Sequence, residues 1–318
     1  MTVIRKRLLL SLFTLVVLLA GIFVYRQVFK EKPKVIVVVK EEELEFWEIV
    51  TAGADKGFED FGIDGKVLAP KNGLPEEQNK ILDSALKENP DLLIVSPLGT
   101  GVIPKLEKYV DRNIPVLLMD SNAPWEHKTA YIGTDNRILG EKAGILMASE
   151  LQPGEKVALI GRRESFAEMD RLIGARKSLE AAGIQIAGEY GDLPLGNKIN
   201  QEVKKLMADI IKEHPDLKGV ITTTDYLALP ALDSIYEHGL ELPVTGTDGI
   251  RDMLKNIKEG KLSISVSQNP YDMGYISIET ADKVLRGERI KQNIDSGVDI
   301  ITKSNAEQRL EFYNNILK

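Results

Sequence analysis

The sequence predicts an α/β protein of two doubly wound, Rossmann-like lobes with a membrane-spanning helix in front. Three observations predict it. Short apolar runs recur along the chain, segments of helical spacing separate them, and one charge-free stretch precedes them all. Apolar runs this short, without polar alternation, read as strands buried on both faces of parallel sheets. Strands alternating with helices imply βαβ units. The alternation continues from residue 34 almost to the end, which is more than one sheet of usual size holds. Two sheets, and so two lobes, are expected.

The first element is the charge-free stretch. Residues 1–7 carry the basic cluster Arg5, Lys6 and Arg7, and residues 8–25 then run without a charge, with only Ser11 and Thr14 polar. As a helix this stretch is roughly 27 Å long, close to the hydrocarbon thickness of a bilayer. Basic residues ahead of it place the N-terminus in the cytoplasm and the body outside. Gly21 is followed by Ile22, Phe23, Val24 and Tyr25, a poor cleavage site, so the expectation is an uncleaved anchor rather than a removed signal. Residues 26–33 read as a polar linker.

The body comes next. Strand-like runs occupy 35–39, 92–95, 116–119, 157–160, 220–224, 243–246 and 264–267. Between them, Trp47, Val50, Ala54, Phe58 and Phe61 recur at three or four residues, as do Leu139, Ala143, Leu146 and Met147. Gly183 and Gly239 stand where helices are expected to end in a left-handed residue.

Composition narrows the function. The chain has 318 residues, 43% hydrophobic and 28% charged, with a formal net charge of −7. That balance suits a globular body and lacks the basic surplus of a nucleic-acid binder. There is no cysteine, which excludes disulfides and thiolate catalysis. The three histidines share no helix face, so no metal site is expected, and no cofactor fingerprint is complete. Nothing pairs a nucleophile with a base, so an enzyme is not expected.

In open parallel sheets, ligands bind where strands end. Asp120 follows the run 116–119, and Asp248 lies in TGTDG (245–249) after the run at 243. A carboxylate at a buried strand end is costly unless paired or bound. Two in corresponding places suggest hydroxyl acceptors, with capping of the next helix as the alternative.

Seven segments, taken in order, resemble the type I periplasmic binding proteins, in their ribose- and sugar-binding branch. They are FWEIVTAGA (46–54), NIPVLLMD (113–120), YIGTDN (131–136) with Gly140, DRLIG (170–174), TDYLAL (224–229), TGTDG (245–249) and QNPYDMGY (268–275). The resemblance implies two lobes joined by three crossovers, 34–134 plus 269–297 and 135–268 plus 298–318, closing on a sugar. It implies ring stacking by Phe46 and Trp47, although Trp47 also falls on its helix's apolar stripe and a core role stands beside it. It implies hydrogen bonds to ligand hydroxyls from Asp120, Arg171, Asp248 and Gln268. The sequence departs from the branch at three contacts. Leu44 and Glu45 replace an asparagine and its neighbour before the aromatic pair, Ser121 replaces an arginine, and Thr224 replaces an asparagine. Ser121, Thr224 and the adjacent Asp225 complete the candidate ligand-binding set, with Asp225 able to start a helix instead.

The expected function is therefore extracytoplasmic binding of a monosaccharide or similar polyol. The expected partner is an ABC permease or, as the alternative, a membrane histidine kinase to which the bound sugar is presented. A transcription regulator with this core would need a helix-turn-helix where the apolar stretch stands.

Overall fold

A computed structural model describes residues 31–193, 198–262 and 264–317. The apolar stretch 8–25, its basic flank and residues 26–30 lie outside the described residues. Among the described residues, no helix is long and apolar enough to cross a membrane. The chain divides into two units, Met1–Pro33 and Lys34–Lys318, and among the described residues every strand belongs to the second.

The first sheet has six strands in the order β11-β5-β4-β3-β1-β2, all parallel. They are β1 (Lys34–Val38), β2 (Asp64–Leu68), β3 (Leu92–Val95), β4 (Val116–Met119), β5 (Ala130–Gly133) and β11 (Asn293–Asp295). The β-branched run of β1 explains its place inside the sheet, because alternate side chains serve opposite faces. Val35 and Val37 join the core beneath α1 (Glu45–Phe61) and α9 (Pro270–Leu285). Ile36 and Val38 join the core of Leu82 and Leu86 from α2 (Pro75–Lys87) and of Leu106 and Tyr109 from α3 (Ile103–Val110). Each such fully buried side chain contributes about 1.5–3 kcal/mol of transfer free energy.

The second sheet is parallel too, in the order β7-β6-β8-β9. Its strands are β6 (Lys156–Ile160), β7 (Gln185–Tyr190), β8 (Leu217–Thr222) and β9 (Val244–Thr245). Val157 and Leu159 face α4 (Asn136–Ser149) and α5 (Phe166–Ala181). Ala158 and Ile160 face α6 (Ile199–Glu213) and α7 (Asp225–Glu237). Gly183 and Gly239 take φ of 74° and 69° just past α5 and α7, as helix-ending residues do.

One strand pairs differently from expectation. The run at 264–267 is β10 (Ile264–Gln268), but it pairs antiparallel with β12 (Val298–Thr302) rather than joining a parallel sheet. This ribbon lies against β9 and α4. α8 (Arg251–Lys258) and α10 (Lys303–Ile316) pack together beside it. The chain passes from the first sheet to the second after β5, returns after β10 and leaves again after β11.

Two helix pairs approach at backbone distance. A Cβ on Gly53 of α1 would lie 2.0 Å from the Tyr271 carbonyl oxygen of α9, and one on Gly274 would lie 2.0 Å from that of Val50. The second sheet repeats the arrangement: Gly140 of α4 faces the Arg171 carbonyl, and Gly174 of α5 faces that of Arg137.

Candidate functional site

The C-terminal ends of β1, β4, β6, β9 and β10 converge on one cavity of about 120 Å³. That is smaller than the roughly 300–1,000 Å³ of sites for drug-sized ligands. Of the nine residues singled out from the sequence, Phe46, Trp47, Asp120, Arg171, Thr224, Asp248 and Gln268 line it. Ser121 and Asp225 do not.

Asp120 follows β4 with φ of 61°, a left-handed conformation uncommon outside glycine and asparagine. Its amide donates to the Ile132 carbonyl at 3.0 Å, and its own carbonyl accepts from the Tyr131 hydroxyl at 2.8 Å and the Asn136 amide at 3.3 Å. These bonds hold the turn that presents the carboxylate. Oδ2 accepts from Lys40 Nζ at 2.6 Å and from the Ser96 and Ser121 hydroxyls at 3.1 Å each. Among the described residues nothing donates to Oδ1. Burial alone would raise this carboxyl's pKa. The Lys40 and Arg171 charges, with the hydrogen bonds from Lys40 and Ser121, outweigh burial and hold it below the usual value. Ser121 therefore acts behind Asp120, accepting from Lys40 Nζ at 2.7 Å, instead of facing the cavity.

Arg171, on the inner face of α5, is only 3% exposed. Nε donates to Asn136 Oδ1 at 2.8 Å. Nη1 donates to the Thr223 carbonyl at 2.7 Å, to Thr247 Oγ1 at 2.9 Å and to Asp248 Oδ1 at 3.4 Å. Among the described residues Nη2 has no acceptor. Asn136 thus ties the Asp120 turn to the guanidinium through one amide.

Asp248 and Asp225 face each other in an unusual reciprocal arrangement. The Asp225 amide donates to Asp248 Oδ2 at 3.0 Å, and the Asp248 amide donates to Asp225 Oδ1 at 3.2 Å. Asp225 Oδ2 takes the Ile250 amide at 2.9 Å. Asp225 is fully buried, so its carboxylate organises the 246–250 loop from behind and does not reach the cavity. Burial, then the Asp248 charge, pushes Asp225 up to about 7. Asp248 is raised as well, by burial, against the lowering effect of Arg171.

Gln268 Nε2 donates to Asp248 Oδ1 at 3.0 Å. That bond fixes the amide's orientation and leaves Oε1 buried without a partner among the described residues. An orphaned buried acceptor costs about 1–3 kcal/mol. Phe46 and Trp47 form one wall, edge to face at 4.9 Å between ring centroids. Trp47 also belongs to the core beneath β1, so it lines the cavity and packs in the core at once.

Other charged residues on the wall carry no such expectation from the sequence. Lys40 follows β1, and Arg162 follows β6. Glu168 accepts from the Arg162 amide at 2.9 Å, its Nε at 2.8 Å and the Thr223 hydroxyl at 2.6 Å. Burial raises Glu168, but Arg162 and these bonds bring it below its usual value. Lys40 and Arg162 stand directly after strands, so the rule that found Asp120 also reaches them. Glu168 lies within α5 and has no comparable signal. At the cavity's edge the Phe46 amide donates to the Tyr226 hydroxyl at 3.3 Å. Glu45 accepts the Arg251 amide at 2.7 Å and pairs with its Nε at 3.1 Å. Both links join α1 to helices beside the second sheet.

Residues 35–289 match the family model for the periplasmic binding protein domain. The chain belongs to that family. Within it, the chain groups with the sugar-binding branch of the type I periplasmic binding proteins. It is 27% identical over 276 residues to the ribose import binding protein of Escherichia coli strain K12, covering 86% of this chain and 91% of that one. Among solved structures, an ABC transporter solute binding protein from Mycobacterium smegmatis with bound glycerol superposes with a TM-score of 0.79. It is 25% identical, over 87% of this chain and 96% of that one. A glucose-galactose binding protein from Geobacillus stearothermophilus superposes with a TM-score of 0.80 at 23% identity, over 86% and 99% of the two chains, and shows the fold alone. Periplasmic binding proteins bind without chemistry, and the chain is a binding protein rather than an enzyme.

Proposed function

We propose that the chain is an extracytoplasmic receptor that closes on an uncharged monosaccharide or similar polyol and delivers it to an ABC importer. In this reading two lobes, 34–134 with 269–297 and 135–268 with 298–318, close by bending at the three crossovers. The stretch 8–25 tethers them to the membrane. The observation that carries the reading is the set of hydrogen-bonding atoms without a partner among the described residues around one small cavity: Gln268 Oε1, with Asp120 Oδ1 and Arg171 Nη2 beside it. The first two accept and the third donates. A hydroxyl both donates and accepts, so a polyol satisfies all three at once.

Charge supports an uncharged ligand. Lys40 pairs with Asp120, Arg162 with Glu168 and Arg171 with Asp248, at 2.6, 2.8 and 3.4 Å. A phosphate would need a cation that is not already matched. Phe46 and Trp47 offer apolar faces to the C–H side of a sugar ring. The bound glycerol of the Mycobacterium smegmatis protein and the ribose import function of the Escherichia coli relative support the polyol class and the importer. The histidine-kinase alternative rests on the N-terminal stretch and on the absence of a cysteine that could carry a lipid.

A panel of pentoses, hexoses and polyols tests the reading by thermal shift of the full chain. A cognate sugar at a hundredfold excess over its Kd raises stability by about 2.7 kcal/mol. No shift with any member of the panel rejects the polyol class.

A further inference from the structure

Gln268 supplies the orphaned acceptor of the cavity, and it is also the last residue of β10, one step from the connection into α9. A side chain at a strand end is placed only as well as the backbone on either side of it is held. Here one guanidinium holds both neighbours. Arg309, on α10, donates from Nη1 to Ser267 Oγ at 2.8 Å, and from Nη2 to Asn269 Oδ1 and to Asp299 Oδ2, the last at 2.8 Å. Arg309 does not line the cavity, and α10 lies beyond the residues 35–289 that match the family model. The guanidinium is itself anchored. It lies 5.9 Å from the ring centroid of Tyr313, one turn further along α10, and that ring is buried in the core.

The two neighbours show what this grip does. Asn269 directly precedes α9, where an asparagine side chain ordinarily accepts from amides of the first turn. It makes no such bond. Its Oδ1 is turned to Arg309 instead, and its Nδ2 donates to the Ser296 carbonyl at 3.3 Å, in the connection after β11. Ser267 is fully buried, and its hydroxyl lies 2.7 Å from the Gln268 carbonyl and 3.2 Å from the Asp248 carbonyl. A hydroxyl that accepts from a guanidinium directs its own proton elsewhere, and here the acceptors in reach are the carbonyls of two residues that line the cavity.

We infer that Arg309 is a positioning residue of the binding site: by gripping Ser267 and Asn269 it fixes the backbone of Gln268, and so the place at which Oε1 meets a ligand hydroxyl. The inference rests on the polyol-binding reading and deepens it. An arginine suits the task because its planar fork reaches separate acceptors in fixed directions, whereas an ammonium is a compact point donor. Asp299 takes the remaining edge of the fork and balances its charge.

The test uses the full chain, calorimetry against D-ribose, D-allose, D-glucose, D-galactose, xylitol and glycerol, and a double-mutant cycle between Arg309 and Gln268. Arg309→Met should weaken the best-bound member by about 10-fold, because the bonds on both sides of Gln268 are lost together. Arg309→Lys should recover part of that loss. Gln268→Ala removes the acceptor itself, so adding Arg309→Met to it should weaken binding by less than about twofold more. In the ligand-free chain, hydrogen exchange at the Gln268 amide should quicken by about 10-fold or more in Arg309→Met, while amides of β1 and β6 exchange as in the wild type. Ligand-free melting establishes that each variant folds. Where Arg309→Met does not fold, Asn269→Ala loosens the grip on one side only and should follow the same cycle with a loss of about threefold. If the wild type binds a sugar and the folded variant binds it equally well, the inference falls and the polyol reading survives. If the variant weakens binding by the same factor with and without the Gln268 side chain, it acts on the fold at large, and the positioning role falls. If the wild type binds no member of the panel, the polyol reading falls and the inference with it.

Discussion

Asp120 and Asp248 occupy matching places and carry opposite electrostatics. Each follows a parallel strand, each is about 4% exposed, and both line the same cavity near Arg171. Asp120 has a lysine at 2.6 Å and two serine hydroxyls, and its pKa is held down. Asp248 has a second buried carboxylate as its backbone partner and a guanidinium no closer than 3.4 Å, and its pKa is raised. Equal burial therefore does not decide the charge of a strand-end aspartate. Its neighbours do. One half of the cavity holds a fixed anion, and the other holds Asp248, backed by Asp225, with both carboxyls raised because burying like charges together is costly.

The largest expected consequence is in affinity. Asp120→Ala or Arg171→Ala should weaken sugar binding by about 2–4 kcal/mol, because each strands a buried ionic partner. Asp248→Asn should cost less, about 1 kcal/mol, because an amide oxygen can still accept from the Asp225 amide. Calorimetry that ranks Asp248→Asn above Asp120→Ala would reverse the comparison.

The next consequence is in pH. Asp225 titrates at about 7 in the fold, raised by burial and then by Asp248, against about 3.9 when unfolded. Between those values the folded chain holds a proton that the unfolded chain lacks. This contribution is whole below about pH 4 and is lost as the pH rises through about 7. Asp120 and Glu168 are lowered, so their contributions are lost only as the pH falls below the ordinary carboxylate range. The loss from Asp225 is about 2.6 kcal/mol between pH 5 and pH 8, so the melting temperature should drop by about 5–10 °C, and less so in Asp248→Asn. A flat profile in the wild type would rule out a raised Asp225.

The smallest effect belongs to the rim. Glu45 and Arg251 are partly exposed, so breaking their pair with Arg251→Ala should cost about 0.5–1 kcal/mol. The pair already joins α1 to α8 in this structure, so that loss should appear both in the melting of the chain and, in the proposed receptor, in sugar affinity.

The sequence reveals those parts of the fold that are uniformly apolar. β1, β3, β4 and β6 are nearly continuous hydrophobic runs and need no tertiary knowledge. β2 and β7 are only half buried, and β11 and β12 show little apolar pattern, so nothing local marks them. The antiparallel pairing of β10 arises from a strand about thirty residues further on, which a parallel pattern does not reveal. In the cavity, the aspartates are visible because they interrupt apolar runs. The turning of Asp225 toward the 246–250 loop is not, because it depends on amides that arrive from β9. Glu168 is hidden for the same reason: its partners Arg162 and Thr223 come from two other strands.

The paired glycines have a mechanical consequence. With α1 locked to α9 and α4 to α5 at backbone distance, neither pair can slide without a carbonyl colliding. Each behaves as a stiff beam. In the proposed receptor, bending would then fall on the short connections after Gly133, Gln268 and Asp295, and a single methyl group added at Gly274 would push α1 from α9 through Val50 and Ala54, neither of which lines the cavity.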